Sequence, residues 1–181
     1  MTATPLLETN RLFLEPFPMR LLTDRYVSWL NDPEVVRYSE QRHKHHTIES
    51  CRHFVESFVP SPSHLWAINA NDPELGHIGN IHADVDAANR VADIAILIGE
   101  RRVWGHGYGL EAWMAVCDWL VRAGGMRKVT AGTLAENAAM LAVMRKSDMK
   151  DDGIRPRHYL FEGREIDIVH MAMYAGPDGK R

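Results

Sequence analysis

The stretch Glu100–Trp113, ERRVWGHGYGLEAW, sets Arg101 and Arg102 ahead of three glycines on alternate positions, Gly105, Gly107 and Gly109. Without a Cβ, glycine lets a ligand approach backbone N–H groups closely and accepts positive φ at no steric cost. Amides exposed where a helix begins attract anions, and a guanidinium adds charge-assisted hydrogen bonds. The chemistry on offer is phosphate binding; the plainer reading is a glycine-rich turn beside two surface arginines. A P-loop is excluded because no lysine follows these glycines. A dinucleotide fingerprint fits poorly, since Leu110 stands where the third small residue belongs. The pattern R/Q-x-x-G-x-G/A is matched by Arg102-Val103-Trp104-Gly105-His106-Gly107.

Other chemistry-bearing residues are weaker candidates. His43, His45 and His46 are crowded in HKHH, but sequence-adjacent histidines rarely converge on one ion and no carboxylate or cysteine pattern completes a set, so no metal is expected. Cys51 and Cys117 lack metal-ligand spacing and do not make a disulfide framework. Cys117 falls mid-helix among apolar residues, a packing position rather than a nucleophile's.

The elements that must position the glycines are legible from periodicity. Arg11–Phe17 alternates and reads as a strand. Tyr26, Trp29 and Leu30 form a helix face that Asn31-Asp32-Pro33 stops, and a short helical turn is expected around Val35, Val36 and Tyr38. Thr47 is an N-cap candidate with Ser50 at N3, ahead of a core face of Ile48, Cys51, Phe54, Val55 and Phe58. HLWAINA, LGHIGNIHADV and RVADIAILIG read as an antiparallel meander. GLEAWMAVCDWLVRAG is a helix apolar nearly all round, closed by Gly124-Gly125. KVTAGTL is the next strand, ENAAMLAVMRKS another helix, and Arg157–Tyr174 a closing hairpin turning at Glu162-Gly163, with Met171 and Met173 facing the core. The glycines fall where one strand hands over to the crossover helix of a single strand–helix–strand unit. The fold class expected is α+β, a mixed, mostly antiparallel sheet with one βαβ crossover.

Composition bounds the partners. At 181 residues the chain suits one domain, 1–181, with its core at 11–174 and a frayed tail from Ala175. Hydrophobic content of 45% with 25% charged residues is that of an ordinary soluble globular protein. A net charge of −3 argues against general nucleic-acid or anionic-membrane binding, so any anion site is local. The start MTATPLLETNRLFLE lacks signal-peptide character, and no apolar run reaches the length of a membrane span. With two cysteines, a cytoplasmic location is the expectation.

The glycine motif, its place after the fourth strand and the element order resemble the GNAT superfamily of acyl-CoA-dependent N-acetyltransferases. WLNDPEVVRY, VWGHGYGLEA and ENAAMLAVMRKSDM look most like the branch of ribosomal-protein N-terminal acetyltransferases. The resemblance runs from Arg11 to Tyr174 and implies acetyl-CoA as donor and a primary amine as acceptor, a small polar amine or a protein N-terminus. It implies that the strands on either side of the crossover helix splay apart, with the pantetheine arm along Leu97, Ile98 and Gly99. The pyrophosphate would lie on Arg102, Val103, Gly105, His106, Gly107, Tyr108 and Gly109. Asn137 and Lys146 match the family's motif after the next strand. Met140, Asp148 and Met149 depart from it, where the family carries serine, glycine and phenylalanine.

The resemblance also suggests who handles protons. Asp93, on the fourth strand, is the first base candidate; an outward-facing surface aspartate is the alternative. Glu40 is the second, in a loop that lines the acceptor pocket of relatives with Ser39 and Arg42; it can instead pair with Arg42. His82 is a third. Many relatives place a tyrosine acid where this chain has Met144, and Tyr159 is the candidate substitute. A homodimer through the closing hairpin is possible. A non-catalytic acyl-CoA-binding module is the competing reading of the missing tyrosine and altered motif.

Overall fold

The computed structural model describes residues 3–176; most of the expected frayed tail, 177–181, lies outside the described residues. Twelve regular elements follow one another: β1 (Leu7–Glu8), β2 (Leu12–Pro16), α1 (Asp24–Asn31), α2 (Ile48–Glu56), β3 (His64–Ala70), β4 (His77–Asp86), β5 (Val91–Ile98), α3 (Tyr108–Arg122), β6 (Lys128–Leu134), α4 (Ala138–Lys146), β7 (Lys150–Phe161) and β8 (Arg164–Tyr174). The strands form one sheet in the order β1-β2-β3-β4-β5-β6-β8-β7. Every neighbouring pair is antiparallel except β5 and β6, which α3 joins as the one crossover. The α+β arrangement is as expected.

Three local readings change. β1 is too short for periodicity to signal and exists through its pairing, Leu7 with Leu14 and Glu8 with Phe13. Val35–Tyr38 is a run of turns, and the helical turn falls later, at Glu40–His43, where the Ser39 side chain accepts from the Gln41 amide. Phe54 leaves the α2 core face: it is exposed and stacks edge-on with Phe58. Thr47 and Ser50 do form the capping box of α2, and Glu162 and Gly163 take φ of 49° and 77° in the hairpin turn. That hairpin begins at Lys150, ahead of the expected Arg157, and β8 pairs with β6 as well from Ile168 to Tyr174.

Period-two alternation divides the sheet into two faces. On one, Ile81, Ile94, Val129 and Met171 join Trp113, Val116 and Leu120 of the wholly apolar side of α3, together with Met144 of α4, in the main core. On the other, Leu97 packs with Tyr26, Trp29 and Cys51 of α1 and α2. Asn80, His82, Asp84, Asp93 and Thr130 share this second face by register. Among the described residues no helix is long and apolar enough to cross a membrane.

The sheet is divided at its centre. β5 and β6 pair only through Val91–Asp93 against Lys128–Thr130. Beyond that point β5 stays on β4 as far as Ile98, and β6 stays on β8 as far as Leu134. Two half-sheets are thus hinged at a short ladder and open toward the end where β5 runs into the glycine loop.

Candidate active site

The open edge of β5 carries backbone groups that the sheet ladders leave unpaired. Gly79 faces Ile98, and the Gly99 amide donates to the Ile78 carbonyl at 2.9 Å, one residue beyond that pair. This makes Gly79–Ile98 a non-hydrogen-bonded pair and turns the N–H and C=O of Ile98 away from β4, into the divide. Alternation turns Ile96 and Ile94 the same way. The indole N–H of Trp104 donates to the Ile98 carbonyl at 2.9 Å. Leu97 instead pairs with Asn80, and Gly99 lies against Trp29 so closely that a Cβ there would overlap the indole.

The edge leads to a helix start that no side chain closes. Thr23 caps α1, Thr47 caps α2 and Asn137 caps α4, whereas α3 begins at Gly107 with no side-chain cap. Gly105 and Gly107 take φ of 78° and 82°, left-handed conformations that favour glycine. First-turn amides left this way stand at the positive end of a 15-residue helix, the kind of position that attracts anions. The two loop arginines are engaged elsewhere. Glu100 receives Arg102 at 3.0 Å and Arg25 at 2.6 Å, and its carboxyl falls to about 2 chiefly through the Arg102 hydrogen bond. Arg101 pairs with Glu34 at 3.1 Å.

At the vertex of the divide the second face collects titratable groups. Asp93 lies opposite Asp84 on β4 and Thr130 on β6, whose hydroxyl donates to Asp93 Oδ2 at 2.6 Å. Asp93 is exposed, as the outward-facing alternative has it, but the crowded face around it partly desolvates the carboxyl and raises it above its ordinary range, against the Thr130 bond; the Asp84 charge adds to the rise. His82, two residues from Asp84 and 3.6 Å from its carboxylate, sits under the rings of Phe54 and Phe58. Burial lowers its pKa more than the Asp84 and Asp93 charges raise it, so the ring favours its neutral form. His170 of β8 pairs with Gly132, where a Cβ would strike the imidazole, and its buried Nε2 has no hydrogen-bond partner among the described residues. Asn80 Oδ1, buried on the same face, is likewise without one.

A second group forms at the hairpin tip. Arg42 donates to the carbonyls of Ser39 and Leu160, pairs with Glu40 at 2.7 Å and lies over the Phe161 ring. Tyr38 stacks on Phe161, and Tyr159 packs on the same cluster, which includes Leu134. Tyr159 pairs with Ile166, four residues along β8 from His170, roughly 13 Å at strand rise. Ser39, Glu40, Arg42 and Tyr159 thus come together, but apart from Asp93 and His82.

A half-split sheet, an open strand edge and an uncapped glycine loop at one end of it coincide with a family model. The Acetyltransferase (GNAT) domain model matches residues 11–150. The chain belongs to the GNAT acetyltransferase family. Among curated proteins, none matches the sequence. Among solved structures it is similar to RimL, a ribosomal L7/L12 alpha-N-protein acetyltransferase in complex with coenzyme A, at TM-score 0.82 and 14% identity over 94% of this chain and 98% of that one. It is similar to the ribosomal-protein-S5-alanine acetyltransferase from Vibrio fischeri, at TM-score 0.82 and 12% identity over 98% and 100%. The spermidine N-acetyltransferase from Vibrio cholerae, in complex with CoA and spermine, matches at 0.78 and 13% over 92% and 96%. At such identities the likeness is one of fold.

Of the two remaining GNAT motif positions, Asn137 has structural work in this chain. Asn137 Oδ1 accepts from the Met140 amide at 3.1 Å, and its Nδ2 donates to Thr133 at 3.0 Å, tying α4 to β6. Lys146 is exposed at the end of α4, and Met144 is fully buried. Sequence reading did not single out Asn80, Thr130 and His170. They sit on three strands, and only register places them on one face with Asp93; alternation in KVTAGTL and REIDIVHMAMY was the signal available.

Proposed function

We propose that this GNAT protein moves an acetyl group from acetyl-CoA to a primary amine by direct attack. The observation that carries the reading is the opening between β5 and β6, whose β5 edge runs straight into the uncapped, glycine-built start of α3. The residues present fit the donor. Its pantetheine amides would pair with the Ile94–Ile98 edge, and its diphosphate would take the amides around Gly105, Gly107 and Gly109. The thioester then lies toward the vertex, beside Asp93 and His82.

Asp93 is the base in this reading, directly or by way of neutral His82. The acceptor ammonium gives up a proton to the carboxylate, and the freed amine attacks the thioester carbon. The C–S bond breaks, the nitrogen's surplus proton passes to the departing thiolate, and that thiolate has little need of an enzyme acid, which suits a chain with Met144 in the acid's usual place. Orientation of donor and acceptor contributes most, about 7–11 kcal/mol, and the base about 10²–10⁴-fold. The acceptor enters from the second face, between α2 and the hairpin tip where Ser39, Glu40 and Arg42 are clamped. A small polar amine or a protein N-terminus fits that approach. We assign the whole chain to one cytoplasmic N-acetyltransferase domain, with a homodimer open to it.

Thermal unfolding with acetyl-CoA tests the donor. Ligand at 100 times its dissociation constant adds about 2.7 kcal/mol, a rise of roughly 5–11 °C at this size. A screen of amines for thiol release tests the acceptor. No shift at millimolar acetyl-CoA refutes the enzyme; a shift without turnover of any amine leaves a non-catalytic acyl-CoA-binding module.

A further inference from the structure

We propose that Arg11, nearly a hundred residues from the glycine loop in sequence, both holds that loop in shape and contacts the diphosphate of the donor. The proposal rests on the functional reading above.

Its support is a set of contacts converging on one guanidinium. Glu111 stands in the first turn of α3, its amide bonded to the Gly107 carbonyl at 3.1 Å. Its carboxylate reaches out of the helix to the segment between β1 and β2. Oε1 accepts from the Thr9 hydroxyl at 2.7 Å and from the Arg11 amide at 2.8 Å, and Oε2 accepts from Arg11 Nε at 2.7 Å. Arg11 Nη1 donates to the His106 carbonyl at 2.9 Å, inside the glycine loop. The guanidinium lies 4.2 Å over the Tyr108 ring. Three groups, the Glu111 carboxylate, the His106 carbonyl and the Tyr108 ring, therefore fix the plane of one side chain, a rigidity that a fork-shaped guanidinium exploits better than a lysine.

What the contacts leave free points to a ligand. Glu111 occupies the Nε edge. Nη2 makes no hydrogen bond among the described residues, and it lies 3.5 Å from where a Cβ of Gly107 would stand. Gly107 is the residue at which α3 starts uncapped. A partly exposed guanidinium with unspent donors thus stands beside Gly107, where the functional reading puts the diphosphate. Arg101 and Arg102, the cations that the sequence puts in the loop, are spent on Glu34 and Glu100. Arg11, by contrast, has a donor left over beside Gly107. Burial works against ionisation of Glu111, but the bonds from Thr9 and Arg11 outweigh it and keep the carboxyl below its usual range, so the strut stays charged.

Calorimetric titration of the full chain with CoA, across a series of salt concentrations, tests this. Arg11→Gln weakens CoA binding about ten- to a hundredfold, the worth of a hydrogen bond to a charged group. It also flattens the dependence of affinity on salt, which loss of loop shape alone would leave as it was. Arg11→Lys, keeping the charge without the fork, weakens binding less. Dephospho-CoA, which retains the diphosphate but lacks the ribose 3′-phosphate, loses as much as CoA does. Glu111→Gln leaves the guanidinium unpinned, weakens binding by about threefold or more, and carries the test should Arg11→Gln not fold. Equal binding by wild type and these variants overturns the proposal, as does equal weakening by both Arg11 variants with an unchanged salt dependence. A loss confined to CoA moves Arg11 to the 3′-phosphate and overturns the diphosphate contact. Wild type that binds no CoA instead refutes the functional reading itself.

Discussion

Asp93 is held in a state its neighbours make costly. Partial desolvation is the larger cause of its raised pKa, and a carboxylate directly across the ladder, Asp84, adds to it, like charges so placed costing about 0.2–1 kcal/mol. A base needs such a raised proton affinity, and catalytic groups are commonly tuned by burial and like charge. Asp93→Asn is expected to lower kcat about 10²–10⁴-fold while the melting temperature does not fall. Wild-type kcat/KM drops as pH falls through the raised Asp93 pKa, and the variant lacks that limb. A pH–rate profile of both proteins checks it, and an unchanged kcat removes Asp93 from the chemistry. Gly99 is a residue of the opposite kind, selected by space. A methyl group there overlaps the Trp29 indole, so Gly99→Ala should cost about 1–3 kcal/mol in denaturant unfolding.

At the scale of elements, the four α-helices divide by how they begin. Side chains satisfy the first turns of α1, α2 and α4, and those helices are held by packing and caps alone. The start of α3 has two positive-φ glycines and no side-chain cap, and in the proposed function a ligand's oxygens take the cap's place. Gly107→Val places a β-branched residue at φ 82°, costing about 1–3 kcal/mol, and abolishes the thermal shift with acetyl-CoA. Thr47→Ala removes the α2 capping box at a similar cost, about 1 kcal/mol, yet keeps the shift in full. Melting curves with and without acetyl-CoA separate the two. Equal shifts in both variants would mean that the glycine loop is only a turn. The same division explains Asn137: a motif position in the family, it is engaged here as the cap of α4 and a link to β6.

For the whole molecule, pH acts through buried histidine. His77 is enclosed by Phe17, Tyr26 and Trp29 and bonds the Gly79 carbonyl at 2.8 Å through Nε2. Burial lowers its pKa from 6.5 to about 4 despite that carbonyl. Between those values the unfolded chain binds the extra proton, so the stability this residue contributes is complete above pH 6.5 and is lost as pH falls toward 4. The loss amounts to about 3 kcal/mol from His77. Burial shifts His64 in the same direction. Denaturant midpoints from pH 7 to 4 should fall accordingly, and His77→Gln should flatten the slope; a slope that survives the substitution assigns it to other groups. His77 sits at the irregular register between β3 and β4, so this titration loosens the half-sheet that ends at β5.

Local sequence by itself determined the elements whose signals are local. Period-two runs marked the long strands, Thr47 and Ser50 marked a helix start, Glu162-Gly163 a turn, and the glycines of residues 105–109 a backbone that admits an anion. Side-chain direction, capping geometry and the Cβ-less backbone follow from a few neighbouring residues, so these were readable. The divide between β5 and β6 was implied only by resemblance, because strand separation depends on partners far apart in the chain. The meeting of Asp93, Thr130 and His170 is of the same kind: three strands must first be registered before their alternating side chains share a face. Tertiary structure alone showed that Arg101 and Arg102 turn to Glu34 and Glu100 while Arg11 faces the loop. Charge-pair choice is decided by which long side chains are within a few ångströms once the sheet has formed, and no spacing along the chain encodes that distance.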